Sequence, residues 1–161
     1  MNTLKMLGLA LAGLTIGLVG AGQLGMLSGS APPGLGVTGG RLRPPSPTPN
    51  SVSSQAVLYP EHPQRAYATM EPLRFSGDAT VALQRLTDVL RNLDGTVIVE
   101  QKPDYLHAES STWLLKFKDD LEFWLDAPAG VIHFRSASRL GRKDFGVNRA
   151  RMETIRARFQ P

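Results

Sequence analysis

An uncharged apolar segment near the N-terminus constrains this chain more than any other feature. No Asp, Glu, Lys or Arg occurs between Lys5 and Arg41, and residues 6–27 are almost entirely aliphatic residues and glycine. A helix over those residues would be about 33 Å long, enough to cross a hydrocarbon core of roughly 30 Å. Because a short positive region precedes the run, residues 1–31 fit a cleaved signal peptide and a retained transmembrane anchor equally well. Either alternative exports the rest of the chain and makes a membrane its first predicted partner.

Glycines in this segment match two patterns that carry functional meaning elsewhere. Residues 20–25 read GxGxxG, the phosphate-binding turn of dinucleotide-binding folds, but no acidic residue follows before Glu61 and two prolines stop the helix. We therefore reject a dinucleotide site and expect no cofactor. Small residues also recur every fourth position from Gly13 to Gly25. That spacing fits close packing of membrane helices, and it equally fits a glycine-rich signal sequence without a helix partner.

A proline- and glycine-rich stretch follows, over residues 32–63, and it holds 8 of the 12 prolines. This composition predicts a linker. Residues 44–50 favour extended polyproline geometry, which would hold the following domain away from the bilayer. The Pro-Asn-Ser-Val-Ser-Ser-Gln motif at residues 49–55 fits a solvated linker or an ordered turn that hydrogen-bonds its own backbone. The domain prediction takes this motif as the ordered part of the linker.

Residues 64–161 have the periodicities of a small α+β domain. Apolar residues on one face predict a helix over residues 79–93, with Asp78 as its N-cap and Gly95 as a left-handed stop. Alternating residues then predict an antiparallel meander of four strands, over residues 105–110, 113–118, 121–126 and 131–136. A last helix begins near residue 144 or 145. The expected fold is an antiparallel sheet of four to six strands, packed on one face by two helices.

Matching apolar residues across the strands gives a predicted register. Phe123 pairs with Phe134 and Leu125 with Ile132, while Phe117 pairs with Phe123. The opposite face would then carry two rows, Tyr105–Lys118–Glu122–Arg135 and His107–Lys116–Trp124–His133. In that register His107 and His133 are about 14 Å apart, too far to share a metal ion. We predict no metal site, and two interpretations of this face remain: a solvated surface, or a ligand or protein surface around Trp124.

The positive charge of the chain is concentrated at its C-terminal end. Residues 1–134 carry 10 Lys/Arg and 12 Asp/Glu, a net charge of −2, whereas residues 135–161 carry 8 and 2, a net charge of +6. The last helix has an apolar stripe of Phe145, Met152, Ile155 and Phe159, and Asn148 on that stripe should be buried and hydrogen-bonded. The arginines lie off the stripe and predict a basic surface. Because the domain is exported, we exclude nucleic acid as its partner.

Several short segments carry a family resemblance. They are Tyr105-Leu106-His107-Ala108-Glu109, Asp119-Asp120, Glu122-Phe123, Ile132-His133, Arg135-Ser136-Ala137-Ser138-Arg139, Gly141, Asp144, Gly146-Val147-Asn148-Arg149 and Arg151. Over about residues 34–160 the chain resembles the domain of unknown function 1499 family, whose N-terminal motif is matched by residues 49–50 and 52–55. It departs at Pro45 and Ser51, where such relatives usually carry cysteines, and it has no cysteine. The resemblance implies an exported or membrane-associated bacterial or plastid domain, and no particular activity.

The candidate site lies where the last strand passes into the last helix. Arginines and serines there precede a helix N-terminus that attracts anions, and acidic residues lie on the neighbouring strand. The candidate residues are Tyr105, His107, Asp119, Asp120, Glu122, Arg135, Ser136, Ser138, Arg139, Asp144, Asn148 and Arg149. Two uses fit them. The arginines could pair with the carboxylates in an internal network that fixes the last helix, or they could hold a phosphate or carboxylate ligand.

Two classes of function follow. The leading hypothesis is a non-enzymatic exported or membrane-tethered domain, in the periplasm or the thylakoid lumen, that binds a partner protein or a small anionic ligand. The alternative is a hydrolase-like enzyme that uses Asp119, Asp120 or His107 as acid or base beside Ser136 or Ser138. Asp120, His107 and Ser138 converging in one open concavity would favour the enzyme, whereas closed Arg–Asp pairs would favour the scaffold.

Overall fold

The computed structural model describes residues 3–159 of the chain, as four α-helices and a sheet of six strands. The helices are α1 (Thr3–Gln23), α2 (Arg65–Ala68), α3 (Ala79–Arg91) and α4 (Val147–Phe159). The strands are β1 (Ser51–Ser53), β2 (Leu73–Arg74), β3 (Thr96–Gln101), β4 (Tyr105–Ser111), β5 (Lys118–Asp126) and β6 (Val131–Ser138). A single 3-10 turn, Ala56–Leu58, also lies in the described range.

The sheet is antiparallel and runs in the order β1-β6-β5-β4-β3, with β2 also pairing with β6. Helices α3 and α4 cover one face, and the hydrophobic core lies between them and the sheet. Phe123 pairs with Phe134 and Leu125 with Ile132, as predicted from the apolar pattern. The α+β class, the antiparallel sheet and the N-terminal apolar helix are therefore confirmed.

Helix α3 forms where the apolar spacing predicts it. The Asp78 side chain accepts a hydrogen bond from the Val81 amide, which is the geometry of an N-cap. Leu86 and Leu90 are fully buried on the core side. The helix ends at Arg91, before the predicted Leu93, and Gly95 adopts a positive φ of 70° in the turn that leads to β3.

The predicted strand over residues 113–118 and its pairings are wrong. Residues 112–117 form a closed loop, in which the Thr112 amide bonds to the Phe117 carbonyl and Lys116 takes a φ of 55°. Strand β5 begins at Lys118 and includes Asp119 and Asp120, so Leu106 pairs with Phe123 and Ala108 with Leu121. Two adjacent aspartates indicate a turn by local rules, but here distant arginines neutralise them inside the sheet.

The start of the last helix also differs from the prediction. Helix α4 begins at Val147, and Phe145 is 93% exposed with a φ of 52°, so it is not part of the buried stripe. The Asp144 carboxylate accepts hydrogen bonds from the amides of Gly146 and Asn148. This turn caps the helix and forces the intervening Phe145 outward. Met152, Ile155 and Phe159 do face the core, and Asn148 is fully buried.

A segment within the proline- and glycine-rich stretch crosses the sheet face opposite the helices. We call residues 36–46 the strap. The Gly36 amide donates to Glu122 Oε1 at 2.8 Å, and Arg135 Nε donates to the Pro44 carbonyl at 3.0 Å. Leu42 is 1% exposed and its amide donates to Gln55 Oε1 at 2.8 Å. Ser51–Ser53 pairs with β6. The division of the chain at residues 31 and 63 stays a prediction.

Helix α1 lies largely outside the folded body. It includes Lys5–Gln23, a stretch of 19 residues with a mean hydropathy of 1.6 that is long and apolar enough to cross a membrane. A signal sequence has the same length and composition. At its C-terminal end, Gln23 Nε2 donates to the carbonyls of Trp113 and Leu114 at 3.3 and 2.9 Å. The helix therefore ends against the loop of residues 112–117.

Candidate functional site

The alternation of side chains along β4, β5 and β6 divides the predicted site residues between the two faces of the sheet. Asp119, Ser136 and Ser138 project toward α4 in the register that also buries Phe123 and Phe134. The other strand residues project toward the strap: Tyr105, His107, Asp120, Glu122 and Arg135. Two separate polar networks result, one under the strap and one under α4.

The strap-side network centres on Asp120 and Arg139. Arg139 Nε donates to Asp120 Oδ2 at 2.9 Å and Nη2 donates to Oδ1 at 2.7 Å, a fork geometry that suits guanidinium and carboxylate. Arg139 Nη2 also donates to Glu109 Oε1, and Lys118 Nζ donates to Glu109 Oε2. The Asp120 Oδ1 atom that accepts from Arg139 also lies 2.9 Å from His107 Nε2. Each charge in this group therefore has an opposite partner.

These contacts shift the pKa values of the ionisable groups in the strap-side network. Burial by itself raises the pKa of Asp120, but hydrogen bonds from Arg139 and His107 outweigh it and bring the pKa down to about 2. Burial likewise raises the pKa of Glu109, and the hydrogen bonds from Lys118 and Arg139 leave it lowered. The bonds to Asp120 raise the pKa of Arg139. All three groups are held in their charged forms at neutral pH.

Glu122 lies at the centre of the strap-covered face and is fully buried. Its Oε1 accepts from Tyr105 Oη at 3.0 Å and from the Gly36 amide, while its Oε2 lies 3.6 Å from Arg135 Nη1. Burial, followed by the charge of Glu122, raises the pKa of Tyr105. Burial lowers the pKa of Arg135, and Glu122 opposes that shift. The Glu122–Arg135 contact is an ion pair without a hydrogen bond.

The second network joins α4 to the sheet through Asn148. Its Nδ2 donates to Ser138 Oγ at 3.0 Å, to Asp144 Oδ2 at 2.9 Å and to the Asn50 carbonyl at 3.2 Å. Its Oδ1 accepts from Ser136 Oγ and from Arg151 Nη1. A buried amide with this many partners fixes the position of α4.

Charged groups at the N-terminal end of α4 extend this network. Arg151 Nη2 donates to Asp119 Oδ2 at 2.6 Å, and both side chains are nearly buried. Asp144 Oδ1 accepts from Tyr67 Oη, and Arg149 Nη2 donates to the Tyr67 carbonyl. Burial raises the pKa of Asp144, but its hydrogen bonds from Tyr67, Asn148 and the backbone leave it lowered. The Arg149 and Arg151 side chains are thus held by the fold.

The predicted basic surface is wrong for most of its arginines. Arg135, Arg139, Arg149 and Arg151 point into the fold and contact carboxylates or carbonyls, whereas Arg142 and Lys143 are exposed. The predicted polar rows are right between β5 and β6, where Glu122 lies opposite Arg135 and Trp124 opposite His133, and wrong toward β4. His107 lies opposite Glu122, and Tyr105 and His133 both lie opposite Trp124, whose ring stacks on His133 at 5.5 Å. The shift follows from the longer β5.

Sequence reasoning missed several members of the two networks. Glu109 and Arg151 fall within the segments that resemble the family, but nothing local indicated their partners. Tyr67 and Asn50 lie in stretches without regular periodicity. For Asn50 the signal was the polar motif of residues 49–55, whose backbone pairs with β6 and accepts a hydrogen bond from Asn148 of α4, while Asn50 Nδ2 donates to the Gly141 carbonyl.

A family model described as protein of unknown function (DUF1499) matches residues 41–159. This chain belongs to that family. No curated protein and no solved structure matches the chain at a significant level. The family match begins at Arg41, so it includes Leu42 and Pro44 of the strap together with both networks.

The convergence of Asp120, His107 and Ser138 that the hydrolase hypothesis expects is not found. His107 and Asp120 lie under the strap, while Ser138 lies on the α4 side and accepts a hydrogen bond from Asn148. A nucleophile needs its base within hydrogen-bond reach, and the sheet separates Ser138 from His107 and Asp120. Asp119 lies opposite Ser138 on the same face, but its Oδ2 accepts a hydrogen bond from Arg151 Nη2 at 2.6 Å. Among residues 3–159, no group of three His, Asp or Glu side chains is placed to hold a metal ion.

A cavity of about 270 Å³ opens beside the α4 network, between the loop of residues 112–117 and the loop of residues 139–146. Its walls are mainly apolar, and Asp119, Ser138 and Asp144 contribute polar atoms to its lining. The two carboxylates are already bonded to Arg151 and Tyr67, so the cavity offers mainly apolar surface, with the Lys143 side chain in its lining.

Proposed function

We propose that this chain is a membrane-tethered, non-enzymatic domain that is exported across a membrane and acts by binding a partner protein. The observation that carries the proposal is the closed ion pair of Arg139 and Asp120. The Arg139 side chain is only 4% exposed. Charged groups that would do chemistry or hold an anion are instead bonded to one another. The periplasm or the thylakoid lumen is the compartment that we infer.

The tether is supported by the length and apolar composition of α1. At about 1.5 Å per residue its 21 residues reach roughly 31 Å, close to the hydrocarbon thickness. Extraction of membranes with alkaline carbonate tests the tether, and a retained anchor predicts that the full-length chain stays in the pellet. A soluble protein whose N-terminal residue lies beyond residue 20 would instead establish a cleaved signal.

A protein partner fits the arrangement better than a small anion. Arg139 has two carboxylate partners and Arg151 has one, so an incoming phosphate would have to displace them. Thermal unfolding of the full chain in non-ionic detergent tests this choice. With chloride replaced by inorganic phosphate at constant ionic strength, we expect no change in Tm. A Tm that rises with phosphate in the parent chain and not in Arg139→Ala would establish an anion site and contradict the proposal.

A further inference from the structure

The end of the sheet nearest α1 displays apolar side chains that the fold does not bury. Trp113 is 83% exposed and Phe145 is 93% exposed, and Leu114 and Leu140 are exposed beside them. They lie on two loops, residues 112–117 and residues 139–146, which we call the loop end. Single exposed apolar residues are ordinary, but a cluster that includes Trp and Phe marks an interaction surface.

The loop end contacts the C-terminal end of α1. Gln23, the last residue of α1, bonds to the carbonyls of Trp113 and Leu114. The preceding Gly22 packs so closely that a Cβ there would lie 2.6 Å from the Leu115 carbonyl oxygen. Farther along the chain, Gly29 lies against Arg139 and Leu140 of the second loop. The C-terminal end of α1 therefore contacts one loop, and the chain just beyond it contacts the other.

Charge at the loop end is positive. Arg142 and Lys143 are exposed and Lys116 is partly exposed, and none of the three forms an ion pair with a residue in the described range 3–159. The nearby carboxylates of Asp119 and Asp144 are buried and bonded. Basic side chains around exposed aromatic residues are the pattern that suits an anionic headgroup layer.

The backbone conformation of Phe145 keeps its side chain exposed to solvent. Its φ of 52° is unusual for a residue with a large side chain, and the Asp144 turn holds it there. Nothing in the fold contacts this ring enough to bury it, so the strained backbone does not serve packing.

We propose that the loop end rests in the headgroup region of the bilayer that α1 enters, with Trp113 and Phe145 at the interface and the basic residues on anionic lipid. The inference rests on the proposed tether, because a spanning α1 puts Gln23, and with it Trp113, at the level of the interface. A bilayer is favoured over a protein at this surface because the helix that enters the membrane is bonded to the same loop. The domain then lies on the membrane rather than away from it.

The two tryptophans of the chain provide a test with an internal control. Trp124 lies six residues along β5 from Lys118, about 20 Å from the loop end. The full-length chain is reconstituted into vesicles of phosphatidylcholine and phosphatidylglycerol that carry bromine at a shallow acyl position. Trp124→Phe leaves only Trp113 to emit, and Trp113→Phe leaves only Trp124. Far-ultraviolet circular dichroism verifies the fold of both variants.

Flotation of the vesicles tests the tether through α1, and quenching of the tryptophan emission tests the docking of the loop end. We expect both variants to float with the vesicles. The Trp113 emission should shift to the blue and lose most of its intensity to the brominated lipid. The Trp124 emission should change several-fold less. Arg142→Glu with Lys143→Glu should reduce the quenching of Trp113 and leave flotation unchanged. A chain that floats while Trp113 stays accessible to aqueous acrylamide overturns the docking and leaves the loop end for a protein partner. A chain that does not float overturns the tether and the docking together.

Discussion

Arg139 and Asp120 form a bidentate pair, with Nε–Oδ2 and Nη2–Oδ1 distances of 2.9 and 2.7 Å. The arginine lies beyond the last strand and the aspartate lies on the adjacent strand, so the pair joins the start of the β6–α4 connection to the centre of the sheet. Removing one partner from such a buried pair leaves a charge without compensation. Together with the contacts of Arg135, Arg149 and Arg151, this pairing keeps half of the eight basic residues of the C-terminal end inside the fold.

The pairing predicts that acid weakens the fold. The pKa of Asp120 is lowered from 3.8 to about 2 in the folded state, so its contribution is fully present above pH 3.8 and is lost as the pH falls toward 2. From that shift the loss amounts to about 2 kcal/mol. Glu109 and Asp144 have lowered pKa values and change stability in the same direction. Urea unfolding of the full chain in detergent between pH 7 and pH 2.5 measures this loss.

The variant Asp120→Asn separates the contribution of Asp120 from the others. It should be less stable than the parent at pH 7 and should lose less further stability between pH 4 and pH 2.5. An unchanged slope in that range would show that Asp120 is not charged and paired in the folded protein.

Asn148 should be among the least replaceable residues of α4. Asn148→Ala removes partners from the hydroxyl groups of Ser136 and Ser138, and we expect a loss of about 2–4 kcal/mol in the free energy of unfolding. Asn148→Asp should also destabilise, because a carboxylate would face Asp144 Oδ2, which the amide Nδ2 approaches at 2.9 Å. Thr154→Ala, on the exposed side of the same helix, is the matched control and should change stability by less than about 0.5 kcal/mol. Equal losses at positions 148 and 154 would contradict the role of the network.

The strap should contribute to stability despite its linker-like composition. Leu42 is nearly fully buried, so Leu42→Ala should cost about 2–4 kcal/mol. Leu58→Ala makes the same chemical change at an exposed leucine and should cost much less. If both variants unfold at the same denaturant concentration, the strap does not pack on the sheet in solution.

The contact between α1 and the loop of residues 112–117 depends on one glycine. A Cβ at Gly22 would lie 2.6 Å from the Leu115 carbonyl oxygen, whereas a Cβ at Gly20 would meet nothing within 4 Å. Both changes to alanine favour the helix by roughly 1 kcal/mol, so only the contact differs between them. In this cysteine-free chain, Gln23→Cys with Leu114→Cys can be joined by a short bis-maleimide. We expect Gly22→Ala to lower the cross-linking yield and Gly20→Ala to leave it unchanged. Equal yields would show that the helix does not pack against the loop.

The parts of the fold that the sequence predicted are those in which local periodicity decides the structure. The spacing of apolar residues located α3, and the pairing of Phe123 with Phe134 followed from matching apolar residues across a short loop. The resemblance to the family correctly marked the segments that form the two networks, although it implied no partners for them.

The errors arose where distant residues decide the local structure. Asp119 and Asp120 resemble a turn until Arg151 and Arg139 neutralise them, and those arginines come from beyond the sheet. The same error shortened β5 and misplaced the row that contains His107. Periodicity also assigned Phe145 to the core, because it does not record that the Asp144 carboxylate caps a helix that begins only at Val147.

A double-mutant cycle on Asp120 and Arg139 tests the central claim that the charged groups are internal supports. The free energies of unfolding are measured for the parent chain, Asp120→Ala, Arg139→Ala and the double variant, beside a control cycle on the exposed pair Asp88 and Arg91, 3.7 Å apart. We predict a coupling of about 2–3 kcal/mol for the buried pair and less than about 0.5 kcal/mol for the control. A coupling at Asp120 and Arg139 no larger than that of the control pair would contradict the account.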